Sequence, residues 1–158
     1  MSGRAGRFVT AGPGTTGAGD VAVWKALAGA VPFPVEAPDY LPSGYAYSAG
    51  LPESERQYFI KAKGGDEPAL RVIYQRFDQD QYLGVTETSW LDAPIAARGK
   101  QVQQNGITCT VVGTQGKVDH VRWRKGGVLC WVSNTITYLL LERELLKTAE
   151  LFVTVSKP

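Results

Sequence analysis

The stretch Val118-Asp-His-Val-Arg-Trp123-Arg-Lys-Gly-Gly-Val128-Leu-Cys-Trp-Val-Ser133 decides the fold. Val121 and Trp123 fall on one side of an extended chain, and Val128, Cys130 and Val132 repeat the pattern beyond Lys125-Gly126-Gly127. Period-two alternation on both sides of a glycine turn describes two antiparallel strands. The preceding segment adds another pair. Lys100–Gln103 and Ile107–Val112 flank Asn105-Gly106, the dipeptide best suited to a two-residue hairpin, and Gly113–Gly116 turns the chain into Val118.

The same reading extends toward the N-terminus. Tyr45–Ala49, Gln57–Ala62, Ala69–Phe77 and Tyr82–Ser89 are candidate strands, and the stretch from Leu70 to Phe77 is rich in β-branched and aromatic residues. Gly64-Gly65-Asp66 and Asp78-Gln79-Asp80 supply turns between them, and Leu91–Arg98, which contains Pro94, reads as a loop. Before the strands, Pro32, Pro34, Pro38 and Pro42 exclude a helix and predict an extended segment along the surface, with Phe33, Val35, Tyr40 and Leu41 tucked in and Gly44 closing it. Two helices complete the pattern. Asp20 is placed to cap one running to Val31, with Val21, Trp24, Leu27 and Ala28 on one side. The other runs from about Tyr138 to Val153: Leu141, Leu145, Leu146, Ala149 and Phe152 form an apolar stripe backed by Glu142, Arg143, Glu144, Lys147 and Glu150, with Glu144 and Lys147 in pairing range. The expected class is α+β, a curved antiparallel sheet of about 6–8 strands packed on a C-terminal helix, with a short N-terminal helix and a Pro-rich segment.

The chain has 158 residues and 44% hydrophobic content, enough for one core without metals or disulfides. Residues 1–19 hold six glycines and read as a flexible leader, with a single domain over 20–158. Gly12-Pro-Gly-Thr-Thr-Gly17 fits the dinucleotide pattern G-x-G-x-x-G. It lies outside any strand–helix–strand unit, which is the context that gives the pattern meaning. No run approaches the ~18 apolar residues of a membrane helix or the ~7–15 of a secretory signal, so the chain as it stands is expected to be cytoplasmic.

The 17 Lys and Arg stand against 15 Asp and Glu. Arg4, Arg7 and Lys25 against Asp20 place the whole excess of two before residue 32, leaving 14 of each sign beyond it. A neutral folded part excludes the broad basic surface of a nucleic-acid-binding domain. The one local concentration is the row His120, Arg122 and Arg124, with Lys117 and Lys125 at its ends, expected to face outward as a solvated face or a contact for an anionic partner.

Chemistry-bearing residues are sparse. His120 is the only histidine, and alternation turns it away from Asp119 and from the inward-facing Cys109 and Cys130, so neither a nucleophilic pair nor a zinc site assembles. The carboxylates scatter over turns and a helix exterior, with no buried acid–base pair in view. In a simple meander the cysteines lie two strands apart, ~9.6 Å, beyond the ~7 Å reach of a disulfide, and are predicted to be buried free thiols. Trp123 is expected to fill the core beneath the final helix. Trp131, opposite Cys130 in phase, is expected either to contact a partner or an apolar ligand or to be covered by the Pro-rich segment or first helix.

The ordered set Phe33-Pro-Val-Glu-Ala-Pro38-Asp-Tyr-Leu-Pro42-Ser-Gly44-Tyr45, the strand-rich middle, Val121-Arg-Trp123 through Gly126-Gly127 to Cys130-Trp-Val132, and Glu144-Leu-Leu-Lys-Thr-Ala149-Glu resembles an uncharacterised bacterial domain family. That family occurs as the extracytoplasmic domain of anti-sigma factors and in sporulation-associated lipoproteins, and is distantly similar to lipoprotein-carrier and periplasmic sigma-regulator half-barrels. The likeness covers residues ~20–153, the span expected for the domain. It implies a non-catalytic binding or sensing domain with no cofactor, a protein or small apolar ligand as partner, and an extracytoplasmic location with a membrane anchor upstream. A lipid- or lipoprotein-binding carrier is the alternative it implies, and an enzyme built on His120 a third.

Overall fold

A computed structural model describes residues 18–47, 54–76, 80–94, 98–114, 116–134 and 139–157. The glycine motif at 12–17, residues 48–49 and the turn residues 78–79 lie outside them.

Helix α1 spans Ala18–Ala30 and is followed by strands β1 (Val35–Pro38), β2 (Tyr45–Tyr47), β3 (Glu55–Ile60), β4 (Glu67–Arg76) and β5 (Gln81–Thr88). Strands β6 (Lys100–Gln104), β7 (Ile107–Thr114), β8 (Lys117–Lys125) and β9 (Val128–Ser133) form the predicted meander, and α2 (Glu142–Glu150) and β10 (Phe152–Val155) end the described chain. Eight strands make one antiparallel sheet in the order β2-β4-β5-β9-β8-β7-β6, with β3 beside β2 on the same edge of β4. The α+β class is therefore observed.

Both two-residue turns form as their residues require. Asn105 and Gly106 have φ of 45° and 91°, and Gly126 and Gly127 58° and 82°. These left-handed values match the twist of a tight hairpin, and glycine adopts them without steric penalty.

Alternation sorts the sheet into two faces. One carries a row of valines across five strands: Val72, Val85, Val132, Val121 and Val111 are successive cross-strand partners, all buried. Helix α2 covers β6 to β9 on this side with Leu145, Leu146 and Ala149. Helix α1 brings in Trp24, Leu27 and Ala28, and the indole of Trp24 donates to the buried Tyr74 hydroxyl at 2.9 Å. Trp123 packs its ring against Phe152 edge-on, centroids 4.9 Å apart, as expected of a core residue below the last helix.

Several expectations are corrected. The last helix covers only Glu142–Glu150, because Glu144 turns its carboxylate back to the Leu141 amide at 3.0 Å and so fixes the start. Phe152 and Val153 leave it for β10, where an aromatic and two valines pair with β1. The Pro-rich segment tucks in Phe33, Val35 and Leu41 as expected, but it enters the fold as a paired strand and does not merely lie along the surface. Its residues Val35–Pro38 are all buried, Pro38 pairs with Phe152 at the strand end, and Leu41 and Pro42 are buried beyond it. Asp20 is not the cap of α1, which begins two residues earlier, but faces the core. Glu144 and Lys147 do not pair in the expected way: Lys147 lies over the Tyr40 ring at 4.6 Å. Gly44 has φ of 88°, and the Arg76 side chain approaches within 3.3 Å of where a Cβ would stand, so both backbone and space favour glycine there.

Candidate binding face

The sheet face turned away from the helices holds a second row. Arg56, Arg71, Thr86, Trp131, Arg122, Thr110 and Gln101 are successive cross-strand partners from β3 to β6. A sheet spaces such partners ~4.8 Å apart, so six intervals extend the row over roughly 29 Å. Trp131 stands at its centre, on the face opposite Cys130, and is neither exposed outright nor covered by the Pro-rich segment, which lies with β10 against the other face. Two clefts flank this centre. One, of about 530 Å³, is lined by Tyr58, Arg71, Tyr82, Thr86, Trp131 and Ser133. The other, of about 670 Å³, is lined by Arg122, Arg124, Thr108, Thr110 and the Leu91–Ala93 connection.

The cationic side chains on this face are positioned by definite contacts. Arg56 and Arg71 place their guanidinium groups 4.8 and 5.8 Å from the Tyr58 ring centroid, a favourable use of an electron-rich ring face. Arg124 donates to the Leu91 carbonyl at 3.0 Å and pairs with Asp92 at 3.2 Å, which links β8 to the residues just after β5.

The basic row does not survive as predicted. His120 is 3% exposed, and its Nδ1 lies 2.8 Å from Asp119 Oδ2, although alternation turns the two apart. The cause is a bulge: Val118 pairs with Gly113 and His120 with Val112, leaving Asp119 as an extra residue that kinks the strand. Its carboxylate is thereby free to reach its neighbour's ring. His120 Nε2 has no hydrogen-bond partner among the described residues. Lys125 also departs from the row, because its ammonium pairs with buried Glu36 at 2.9 Å and donates to the Phe152 carbonyl at 3.0 Å. Of the predicted contact residues, Trp131, Arg122 and Arg124 share the outer face, His120 stands on that same face beside Ser133 and Val112 but is buried there, and only Lys125 serves the interior.

That interior holds a carboxylate pair which sequence reasoning missed. The Glu36 amide donates to Glu87 Oε1 at 2.9 Å, and the Thr154 hydroxyl donates to Glu36 Oε2 at 2.8 Å. Burial raises the Glu87 carboxyl well above its ordinary range, opposed by that amide bond and reinforced by the Glu36 charge. Its signal in the sequence was phase: Leu83, Val85 and Glu87 share the inward side of β5. Burial likewise lifts Asp20 to about 6, with the Tyr74 hydroxyl opposing the shift.

Cys109 and Cys130 are both buried and unbridged. Trp123 is the direct partner of Cys130, and Cys109 stands one residue beyond the Thr110–Arg122 pair, so a strand separates the thiols as expected. Burial raises both thiols, Cys109 to about 11, which makes them poor nucleophiles. Among the described residues no group of three or more His, Cys, Asp or Glu side chains is placed to hold a metal, and no helix is long and apolar enough to cross a membrane.

Compared with known proteins, the chain matches no family model, no curated protein and no solved structure.

Proposed function

We propose that the protein is a binding or sensing domain that uses the outer sheet face for recognition, of the kind found outside the membrane in anti-sigma factors, and that it works without covalent chemistry. The observation that carries this reading is the position of Trp131: a large ring at the midpoint of a cross-sheet row, with an arginine as direct partner and a cleft on either side. Aromatic residues and arginines dominate recognition hot spots because they offer large contact area and directed donors with few rotamers to order. The extracytoplasmic location and upstream anchor belong to this proposal.

A carrier that holds an acyl chain between sheet and helices is less well supported. Trp24, Tyr74, Leu70 and Leu145 fill that layer, each essentially inaccessible. An enzyme centred on His120 is supported by its contact with Asp119, but the ring lines neither of the two outer-face clefts.

The test is a photo-cross-linking amino acid placed singly at Trp131, at Arg122 and at Lys25, which is exposed on α1. In cells, discrete adducts at the first two positions and none at Lys25 are expected. Equal labelling of all three, or none at Trp131 and Arg122, defeats the reading.

A further inference from the structure

The smaller cleft beside Trp131 has a floor without a side chain. Gly84 lies in the interior of β5, the central strand between β4 and β9, and points to the outer face between Ile73 and Ser133. Glycine in a strand interior weakens it, since the residue loses more freedom on folding and packs nothing. Its backbone here is ordinary, with no left-handed φ, and a Cβ would meet only Ser133 Cβ at 3.9 Å, normal van der Waals contact. Neither conformation nor crowding within the chain explains the glycine. Strand glycines mark bulges, bends or close approach by another molecule, and the ladder runs through Gly84 with no register shift, which favours close approach.

The walls say what kind of molecule that is. Tyr58, Tyr82 and Trp131 line the cleft around the floor together with the hydroxyl residues Thr86 and Ser133, while the Asn134 amide at its margin is engaged by Val118 and Leu140. Ring faces with hydroxyls at their margins match a pyranose, which offers apolar C–H faces and an equatorial fringe of hydroxyl groups. Arg71 enters from one end with its guanidinium near Tyr58, and the Asp80 carboxylate at the other is engaged by the Tyr82 hydroxyl. A planar guanidinium recognises a carboxylate or sulfate through paired donors. The folded part carries no broad positive field of the sort nucleic acid needs, so a local cation within an aromatic cleft favours an anionic sugar.

The geometry points to a saccharide site: the cleft floored by Gly84 and walled by Trp131, Tyr58 and Tyr82 binds one anionic pyranose of a glycan, with Arg71 meeting its acidic group. This deepens the proposed recognition role of the outer face and rests on it.

The experiment titrates the whole chain with tetragalacturonate, a heparin-derived tetrasaccharide and uncharged cellotetraose, followed by calorimetry and amide NMR shifts. Binding of at least one acidic oligosaccharide is expected, at least about fivefold tighter than cellotetraose, with shifts centred on Gly84 and Trp131; which acid binds tells a carboxylate from a sulfate. Gly84→Val, which suits a strand, should keep the wild-type melting temperature and bind at least tenfold more weakly. Arg71→Gln, at a half-exposed position, should reduce the acidic ligand to the level of cellotetraose. The assignment is overturned if the wild type binds neither acidic sugar, if folded Gly84→Val binds as well as wild type, or if Arg71→Gln keeps the preference for acid. A discrete protein adduct at Trp131 together with no sugar binding would sink this inference and leave the recognition role standing; absence of both removes both.

Discussion

Glu36 and Glu87, 51 positions apart, meet through a backbone amide and a carboxylate oxygen 2.9 Å apart, beneath a sheet whose sequence shows no acid–base pair. One carboxylate is held by Lys125 and Thr154, and the other is raised by burial. A folded state that keeps a proton its unfolded chain releases is most stable below the ordinary carboxylate pKa and loses stability as pH rises toward the folded value. Chemical-denaturation midpoints are therefore expected to fall from about pH 4 upward, and Glu87→Gln to flatten that decline. Asp20 adds to it between 3.8 and about 6, so Asp20→Asn flattens the lower part alone. A wild-type midpoint that rises across this range contradicts both assignments.

Lys125→Met leaves buried Glu36 without its cation. A fully buried pair broken in this way loses roughly 3–5 kcal/mol. Lys125 is 38% exposed, and solvent screening reduces the expected loss to about 2 kcal/mol. Urea unfolding of the variant measures it, and an unchanged midpoint would mean the contact contributes nothing.

Trp123 fills the space between the two cysteine strands and meets Phe152 from below. Trp123→Ala should lose about 3–5 kcal/mol, the usual range for a large aromatic removed from a core. Thiol labelling provides a second measurement: in native wild type both cysteines should react at least about a hundredfold more slowly than in denaturant, since buried thiols are inert, and the variant should narrow that gap.

Lys157 donates to the carbonyls of Ala28 and Val31 at 2.6 and 2.9 Å, where α1 has no basic residue in its own last turn. Lys157→Ala is expected to remove about 0.5–1 kcal/mol, the scale of a cation at a helix C-terminus, and to speed amide exchange in the last turn of α1. Unchanged exchange there would show that the ammonium does not hold the helix end.

The sheet was legible because its signals are local. Alternation and two glycine turns define β6 to β9 without reference to anything distant, and spacing finds Trp24, Leu27 and Ala28 of α1 and Leu145, Leu146 and Ala149 of α2, whereas Leu141, expected on the same stripe, is exposed ahead of the helix. What escaped depends on partners far along the chain. Phe152 and Val153 satisfy a helical period and a strand period equally, and only the presence of Val35–Pro38 decides between them. His120 and Asp119 were separated by strict alternation, which a one-residue bulge overrides. The outer-face site was partly legible: Trp131 and Arg122 follow from phase, but Tyr58, Arg71 and Gly84 come from other strands, and their assembly needs the strand order.

The pairing of β1 with β10 also constrains the order of events during synthesis. Residues 35–38 are made early, yet the strand they pair with lies at residues 152–155. Until that segment leaves the ribosome, a buried four-residue strand and the Glu36 carboxylate have no place to dock. The meander can form as it emerges, because its contacts are short-range, and α1 can already dock through Trp24 on Tyr74, whereas β1 must wait for residues 152–155. Truncation by a few residues after Glu150 would therefore damage the opposite end of the sequence first.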